Sequence, residues 1–185
     1  MKELQDYSGD FRPDLKMEDF SKDALVRSWY AASKMYIGMY GFWLSLVREE
    51  LGEEKAWKLG MELWRRIVPH EIRWVSEAMR IKGNDVATYF KVWQVDPGFR
   101  GIGDLEFDLK NKNHGILTVK RCLSLEYAER HGDQYMQKLG CDADVEEFSL
   151  TARLFHPRMT ASAMKLPPRK SGDEIACQWE IKLED

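Results

Sequence analysis

The sequence has no long hydrophobic run. Its longest charge-free apolar stretch, Met35 to Val47, is thirteen residues, short of the roughly 20 that a bilayer-spanning helix needs. The opening residues, MKELQDYSGDFRPDLK, are polar and lack the apolar centre of a secretion signal. No membrane segment is expected, and a cytoplasmic location is. A basic surplus is also missing. Lys and Arg number 28 against 31 Asp and Glu, for a net charge of −3 at pH 7. Neutralising phosphates needs such a surplus, so nucleic acid is not an expected partner. Cysteine is sparse: three residues, an odd number, fit reduced thiols better than a disulfide framework.

Several motifs that carry chemistry are missing as well. HEIRW at His70 has Trp74 at the i+4 position, where a zinc-protease helix needs a second histidine. DADVEE from Asp142 lacks the turn glycine and spaced ligands of a calcium loop. GIGD at Gly101 does not continue into a dinucleotide-binding glycine pattern. No serine sits in a nucleophile elbow. No internal repeat or low-complexity tract interrupts the chain.

What remains is a 185-residue chain, 44 % hydrophobic, with seven Trp, seven Tyr and eight Phe. That length buries a real core, and the aromatics suit a bulky core or a ligand pocket. Residues 1–20 read as an irregular arm pinned by Phe11, Leu15 and Phe20. Ser21 is placed to cap a helix that runs to Leu51 and stops at Gly52. Leu25, Trp29, Ala32, Tyr36, Met39, Trp43 and Leu46 fall at spacings 4-3-4-3-4-3, a helical stripe. Apolar residues on its other faces predict a helix surrounded by protein. Gly38 and Gly41, costly in mid-helix, predict close backbone packing. The same aromatics, Tyr36 and Trp43 among them, are candidate pocket walls.

A second helix is expected from Glu53 to Val68, with Ala56, Leu59, Leu63 and Ile67 buried and Pro69 breaking it. A third follows to Ile81, and a fourth, capped by Asn84, spans Asp85 to Gln94 before an Asp96-Pro97-Gly98 turn. The pattern then changes. DLEFDLK alternates, NKNHG turns, and Ile116 to Cys122 returns, which makes a hairpin. Ser124 caps a short helix. One helical piece covers Gln134 to Leu139, and another, with Val145, Phe148, Ala152 and Phe155 inward, ends at His156-Pro157. Met159 to Leu166 and the alternating Cys177, Trp179, Ile181 and Leu183 are the last two strands. The fold class read from this is α+β. A helical bundle over 21–98 precedes a four-stranded antiparallel β-β-α-β-β sheet over 99–185, with helices on one face, packed as one unit.

The candidate chemistry is in the thiols. Cys122 ends the second strand, Cys141 precedes a helix start and Cys177 begins the fourth strand. Element ends are where side chains converge. A thiolate needs a nearby cation or helix start; Cys122 has Arg121 beside it, while Asp142 and Asp144 oppose ionisation of Cys141. With His156, the three sulfurs form a candidate zinc or iron set, although the spacing matches no C-x-x-C knuckle. The opposing reading is three buried apolar thiols. Glu146 and Glu147 are candidates for acid–base work or for partnering a helix start. Arg169 and Lys170, after Pro167-Pro168, present cations to an anionic ligand or form a solvated hairpin tip.

VKRCLSLEYAERHG, GCDADVEEF and FHPRMTASAMKLPPRKSGDEIACQWEIKL resemble a group of uncharacterised prokaryotic cytosolic proteins, itself similar to L-2-amino-thiazoline-4-carboxylic acid hydrolases. DYSGDFRPDLKMEDFSKDALV extends the resemblance to nearly the whole chain. The pattern has Arg-Cys closing a strand, a second cysteine before a helix, and Cys-x-Trp-Glu in a strand. Here these are Arg121-Cys122, Cys141 and Cys177-Gln178-Trp179-Glu180. Leu123 replaces a proline of that pattern and Ala176 replaces a further cysteine. The resemblance implies hydrolysis of a small C–N/C–S heterocycle such as a thiazoline. Cys122, Cys141, Cys177 and Glu147 are then the expected catalytic groups, and Arg121, Arg169, Tyr36 and Trp43 the expected small-molecule contacts. Two other readings stand beside it. One is a ligand-binding or sensor module similar to vinyl-reductase-like and heme-NO-binding-like domains. The other is a non-catalytic homodimer that uses the Trp-rich helices as its interface.

Overall fold

Ser21 starts the helical part of the chain. Its hydroxyl oxygen accepts from Ala24 N at 3.3 Å, satisfying one of the amides that a helix start leaves open. In the computed structural model, which describes residues 3–184 except for the Leu139 side chain, helix α1 spans Lys22–Leu51 and ends at Gly52, φ 81°. Positive φ favours glycine there. The helix has the expected ends but not the expected surroundings. Ser33 and Leu44 are its only fully buried residues. Met35, Met39, Phe42 and Leu46 are all at least 60 % exposed. The contact face runs along Ser33, Ile37, Tyr40 and Leu44, one residue or about 100° around from the predicted stripe. Gly38 and Gly41 do not mediate close packing either, since a Cβ on either would meet nothing within 4 Å. The tight contact is made by Gly101, where a Cβ would sit 2.7 Å from the Ser33 carbonyl oxygen.

Helix α2 is continuous over Glu53–Met79, with Pro69 inside it. The predicted break does not occur: Pro69 lies on the exposed side, where the carbonyl it leaves unpaired can meet water. Ala56, Gly60, Val68 and Glu71 are buried on the inner side, whereas Leu59 and Leu63 are largely exposed. Helix α3, Val86–Val95, is capped by Asp85, not Asn84; Asp85 Oδ1 accepts from both Thr88 N and Thr88 Oγ1. The predicted Asp96-Pro97-Gly98 turn is the start of a short helix, α4, Pro97–Ile102. Asp96 caps it through Phe99 N at 2.8 Å, and Pro97 occupies the first helical position, where its missing N–H costs nothing.

Strands β1 (Gly103–Asn111) and β2 (His114–Cys122) form the first hairpin; β3 (Met159–Lys165) and β4 (Cys177–Leu183) form the second. The sheet order is β1-β2-β4-β3, antiparallel throughout. Between the hairpins lie α5 (Leu123–His131) and α6 (Gln134–Phe155). Cys122 rather than Ser124 caps α5, its Sγ accepting from Leu125 N. The two helical pieces predicted around GCDAD are one helix. Asp133 caps it through Met136 N at 3.0 Å, and the interior Gly140 costs about 1 kcal/mol, which propagation through the surrounding turns offsets.

The mixed architecture is thus the predicted one: helices first, then a four-stranded antiparallel sheet. Trp179, Ile181, Leu117 and Val119 on one sheet face pack against Tyr89, Phe90 and Trp93 of α3 and Phe148 and Ala152 of α6. The other face is polar. There Gln178 donates to Thr118 at 2.9 Å, and Glu180 meets His114 and Lys182. Among the described residues no helix is long and apolar enough to cross a membrane.

Candidate functional site

A cavity of about 180 Å³ opens where α1, α2, α4 and α6 meet the inner edge of the sheet. That is below the roughly 300–1,000 Å³ of pockets for drug-sized ligands, so it has room only for a small molecule. Tyr40, Trp64, Trp93, Phe99 and Phe148 supply aromatic wall. Gly41 also lines it; the open space beside its Cα is cavity rather than another backbone.

Four carboxyl groups line this space: Glu71, Asp96, Asp144 and Glu147. Among the described residues no Lys, Arg or His does so. Glu71 projects from the inner face of α2, at the position after Trp64 and Val68 in a 4-3 spacing. Asp96 is the α4 cap. Gly98 brings these two acids together: a Cβ there would lie 3.1 Å from Asp96 Oδ1, 3.3 Å from Glu71 Oε1 and 3.0 Å from Tyr36 Cε1. Asp96 is 1 % exposed, and its Oδ2 has no hydrogen-bond partner. Trp93 Nε1 is likewise buried without a partner. Asp144 and Glu147 stand three residues apart on α6, on one face of the helix.

Burial pushes Glu71 up from the ordinary carboxyl range, and the nearby Asp96 adds to it. Burial also raises Asp96. Asp144 rises from 3.8 to about 7 through burial. Glu147 is held well above its usual value by burial and then by Asp144, Glu71 and Asp96. The cause is common to all four: a low-dielectric setting disfavours each anion, and no cation lines the cavity to compensate. Tyr36 is raised by burial and by Glu71.

Glu147 and all three cysteines, Cys122, Cys141 and Cys177, line the same cavity. Their state is not the thiolate considered from sequence. Burial, with Asp144 adding to it, lifts Cys122 to about 11 and Cys177 to about 12, and it raises Cys141 as well. The thiols are neutral, and two serve as acceptors: Cys122 from Leu125 N, and Cys177 from Trp179 Nε1 at 3.2 Å.

The other predicted residues lie elsewhere. Arg121 points to an outer cleft with Lys34 and Arg100 and pairs with Glu126 at 2.9 Å, which removes the cation expected beside Cys122. Arg169 pairs with Glu129 at 2.7 Å and donates to the Gly172 and Glu174 carbonyls, so it fastens its own loop. Tyr36 reaches the rim at Glu71. Trp43 stacks on Tyr40 behind the wall. His156 is outside, its Nδ1 accepting from Arg158 N, so the proposed Cys3His set is not assembled. Among the described residues no group of three His, Cys, Asp or Glu side chains is placed to hold a metal ion.

Glu71, Asp96 and Asp144 were not singled out from sequence. The signal was present in two of them. Trp64, Val68, Glu71, Val75 and Cys141, Asp144, Phe148, Thr151 are inward helical stripes, each with an acid where an apolar residue is the rule.

Fold and cavity together define a mixed α+β protein with an enclosed site of acids and neutral thiols. Residues 18–183 match the model of a family of unknown function, DUF6125, and the chain belongs to that family. No curated protein matches the chain, and no solved structure does.

Proposed function

We propose that the cavity is the active site of a small-molecule hydrolase acting on a cyclic C–N/C–S compound of the thiazoline type. The observation that carries this reading is the Glu71–Asp96 pair around Gly98. Two desolvated carboxyls that close titrate as a unit, and such a pair can keep one proton while the other group stays basic. That is the requirement for general acid–base hydrolysis. In the step proposed, water oxygen bonds to the C=N carbon, a carboxylate takes the water proton and a carboxylic acid protonates the nitrogen. Collapse of the tetrahedral adduct then forms a carbonyl at that carbon and breaks its bond to a ring sulfur or nitrogen. The adduct's hydroxyl proton passes to a carboxylate, and a carboxylic acid protonates the leaving atom, which stays tethered in the opened product. Neutral thiols favour carboxyl groups, not cysteine, as the reacting side chains. The substrate class is suggested by the motif resemblance to an uncharacterised group that is itself similar to thiazoline hydrolases.

The test is turnover of 2-aminothiazoline-4-carboxylate and of hydantoins. Wild type, Cys122→Ser and Cys177→Ser should all turn over one of these, and Glu71→Gln and Glu147→Gln should lose at least about a hundredfold, the usual worth of a general acid or base. Loss of activity in the serine variants with retention in the amide variants would overturn the assignment. A second reading, ligand binding without turnover, is favoured by the aromatic wall. It predicts saturable binding of small heterocycles with no product formed.

A further inference from the structure

Among the described residues the cavity is lined by four carboxyl groups and no basic side chain. Buried charge in proteins is paired, neutralised or ligated. Asp96, at 1 % exposure, is among the residues that line the cavity, and its buried Oδ2 has no hydrogen-bond partner. A neutral or anionic occupant would leave that oxygen without a counter-charge. A metal ion needs three or more converging donors, and no such group is placed among the described residues. Tyr40 and Trp64, with ring centroids 5.0 Å apart, offer π faces that attract a cation at about 6 Å or less.

We infer that the occupant of this cavity is a compact organic cation, an amidinium or ammonium compound, whose N–H groups seat against Asp96 and Glu71 around Gly98. This rests on the cavity being the functional site, but not on its being hydrolytic. Among the described residues, the titratable groups that act on the Glu71–Asp96 pair are the Tyr36 hydroxyl from α1 and Glu147 from α6, with Asp144 acting on Glu147 in turn. All of these are neutral or negative. Glu71, raised to about 8, and Asp144, raised to about 7, hold protons near pH 6, so entry of a cation expels protons from the site, and affinity rises with pH towards 8.

The experiment is calorimetric titration of the full chain at pH 6 and pH 8 with 2-amino-2-thiazolinium and with benzamidinium. Each is paired with an uncharged counterpart of similar size, 2-methylthiazoline and toluene. The cations should bind about tenfold or more tighter than their counterparts, a difference of about 1.4 kcal/mol, and should release protons at pH 6 when buffers of different ionisation enthalpy are compared. Asp96→Asn and Glu71→Gln should each weaken the cations about tenfold without affecting the uncharged compounds. Equal affinity for charged and uncharged probes would overturn the inference. So would unchanged cation binding in both amide variants, stoichiometric binding of zinc or magnesium with no organic cation bound, or no cation binding at millimolar concentration. Should an amide variant fail to fold, the wild-type comparison of charged and uncharged probes decides. Cation binding without turnover keeps this inference and rejects the hydrolase reading; turnover confined to neutral or anionic substrates does the reverse.

Discussion

Glu146 and Glu147 are adjacent in sequence and opposite in circumstance. Glu146 faces solvent and pairs with Arg65. Glu147 turns into the cavity, among three other acids and no cation. The contrast extends over the molecule. On the outside, Asp133 and Glu53 share Arg48, Glu126 meets Arg121, Glu129 meets Arg169 and Glu174 meets Lys165. Inside, acids accumulate without such partners. Surface pairing costs little and yields little. Interior acids are expensive, and a chain that keeps four of them in one small space retains them against stability. That is the arrangement the proposed site requires.

The largest expected break in this contrast is produced by pH alone. Between 3.8 and about 7 the unfolded chain has released the Asp144 proton while the folded protein keeps it. The unfolded state then binds fewer protons, so stability falls as pH rises through this window. Glu71, Asp96 and Glu147, all raised, act in the same direction. The acids with lowered values, such as Asp85 and Asp133, titrate below this window. Urea denaturation should therefore show a loss on the order of a few kcal/mol between pH 5 and pH 8.

A smaller break comes from the outer shell. The Arg169 side chain is 3 % exposed, and Arg169→Ala leaves Glu129 and two carbonyls without their donor, for a loss of about 2–3 kcal/mol at either pH. Asp144→Asn should do the opposite and stabilise by about 1–2 kcal/mol at pH 8, with no gain near pH 4, because the amide carries no charge to desolvate. Gly38→Ala and Gly41→Ala should each add about 0.5–1 kcal/mol of helix stability, since both Cβ positions are open. Only the Gly41 change narrows the cavity and weakens binding. Glu146→Gln, the surface partner of Glu147, should alter stability by less than about 0.5 kcal/mol, and equally at both pH values.

What sequence made legible follows the same division. Strand alternation placed β4 and its inner residues correctly, because a pleated strand with one buried face permits only one reading. The three cysteines were read as a group because each was expected at an element end; Cys122 and Cys177 are, whereas Cys141 lies inside the continuous α6. The acids were less so. Asp96 reads as the first residue of an Asp-Pro-Gly turn, and the same side chain serves both as the cap of α4 and as a wall of the site. The orientation of α1 was misread because tyrosines and tryptophans surround it on several sides, and which side is covered depends on α4 docking through Gly101, a contact distant in sequence. Pro69 and Gly140 were read as breaks, yet tertiary packing carried both helices through.

The central claim is that, among the described residues, no cation lines the cavity beside its four acids. Carbon-13 NMR titration of the Asp and Glu carboxyl carbons tests it most directly. The account predicts that Asp144 titrates near 7 and that Glu71, Asp96 and Glu147 are displaced upward, while Glu126 and Glu174 titrate below their usual value. Titration of all four cavity acids near 4, in the ordinary range of exposed carboxyls, would contradict it.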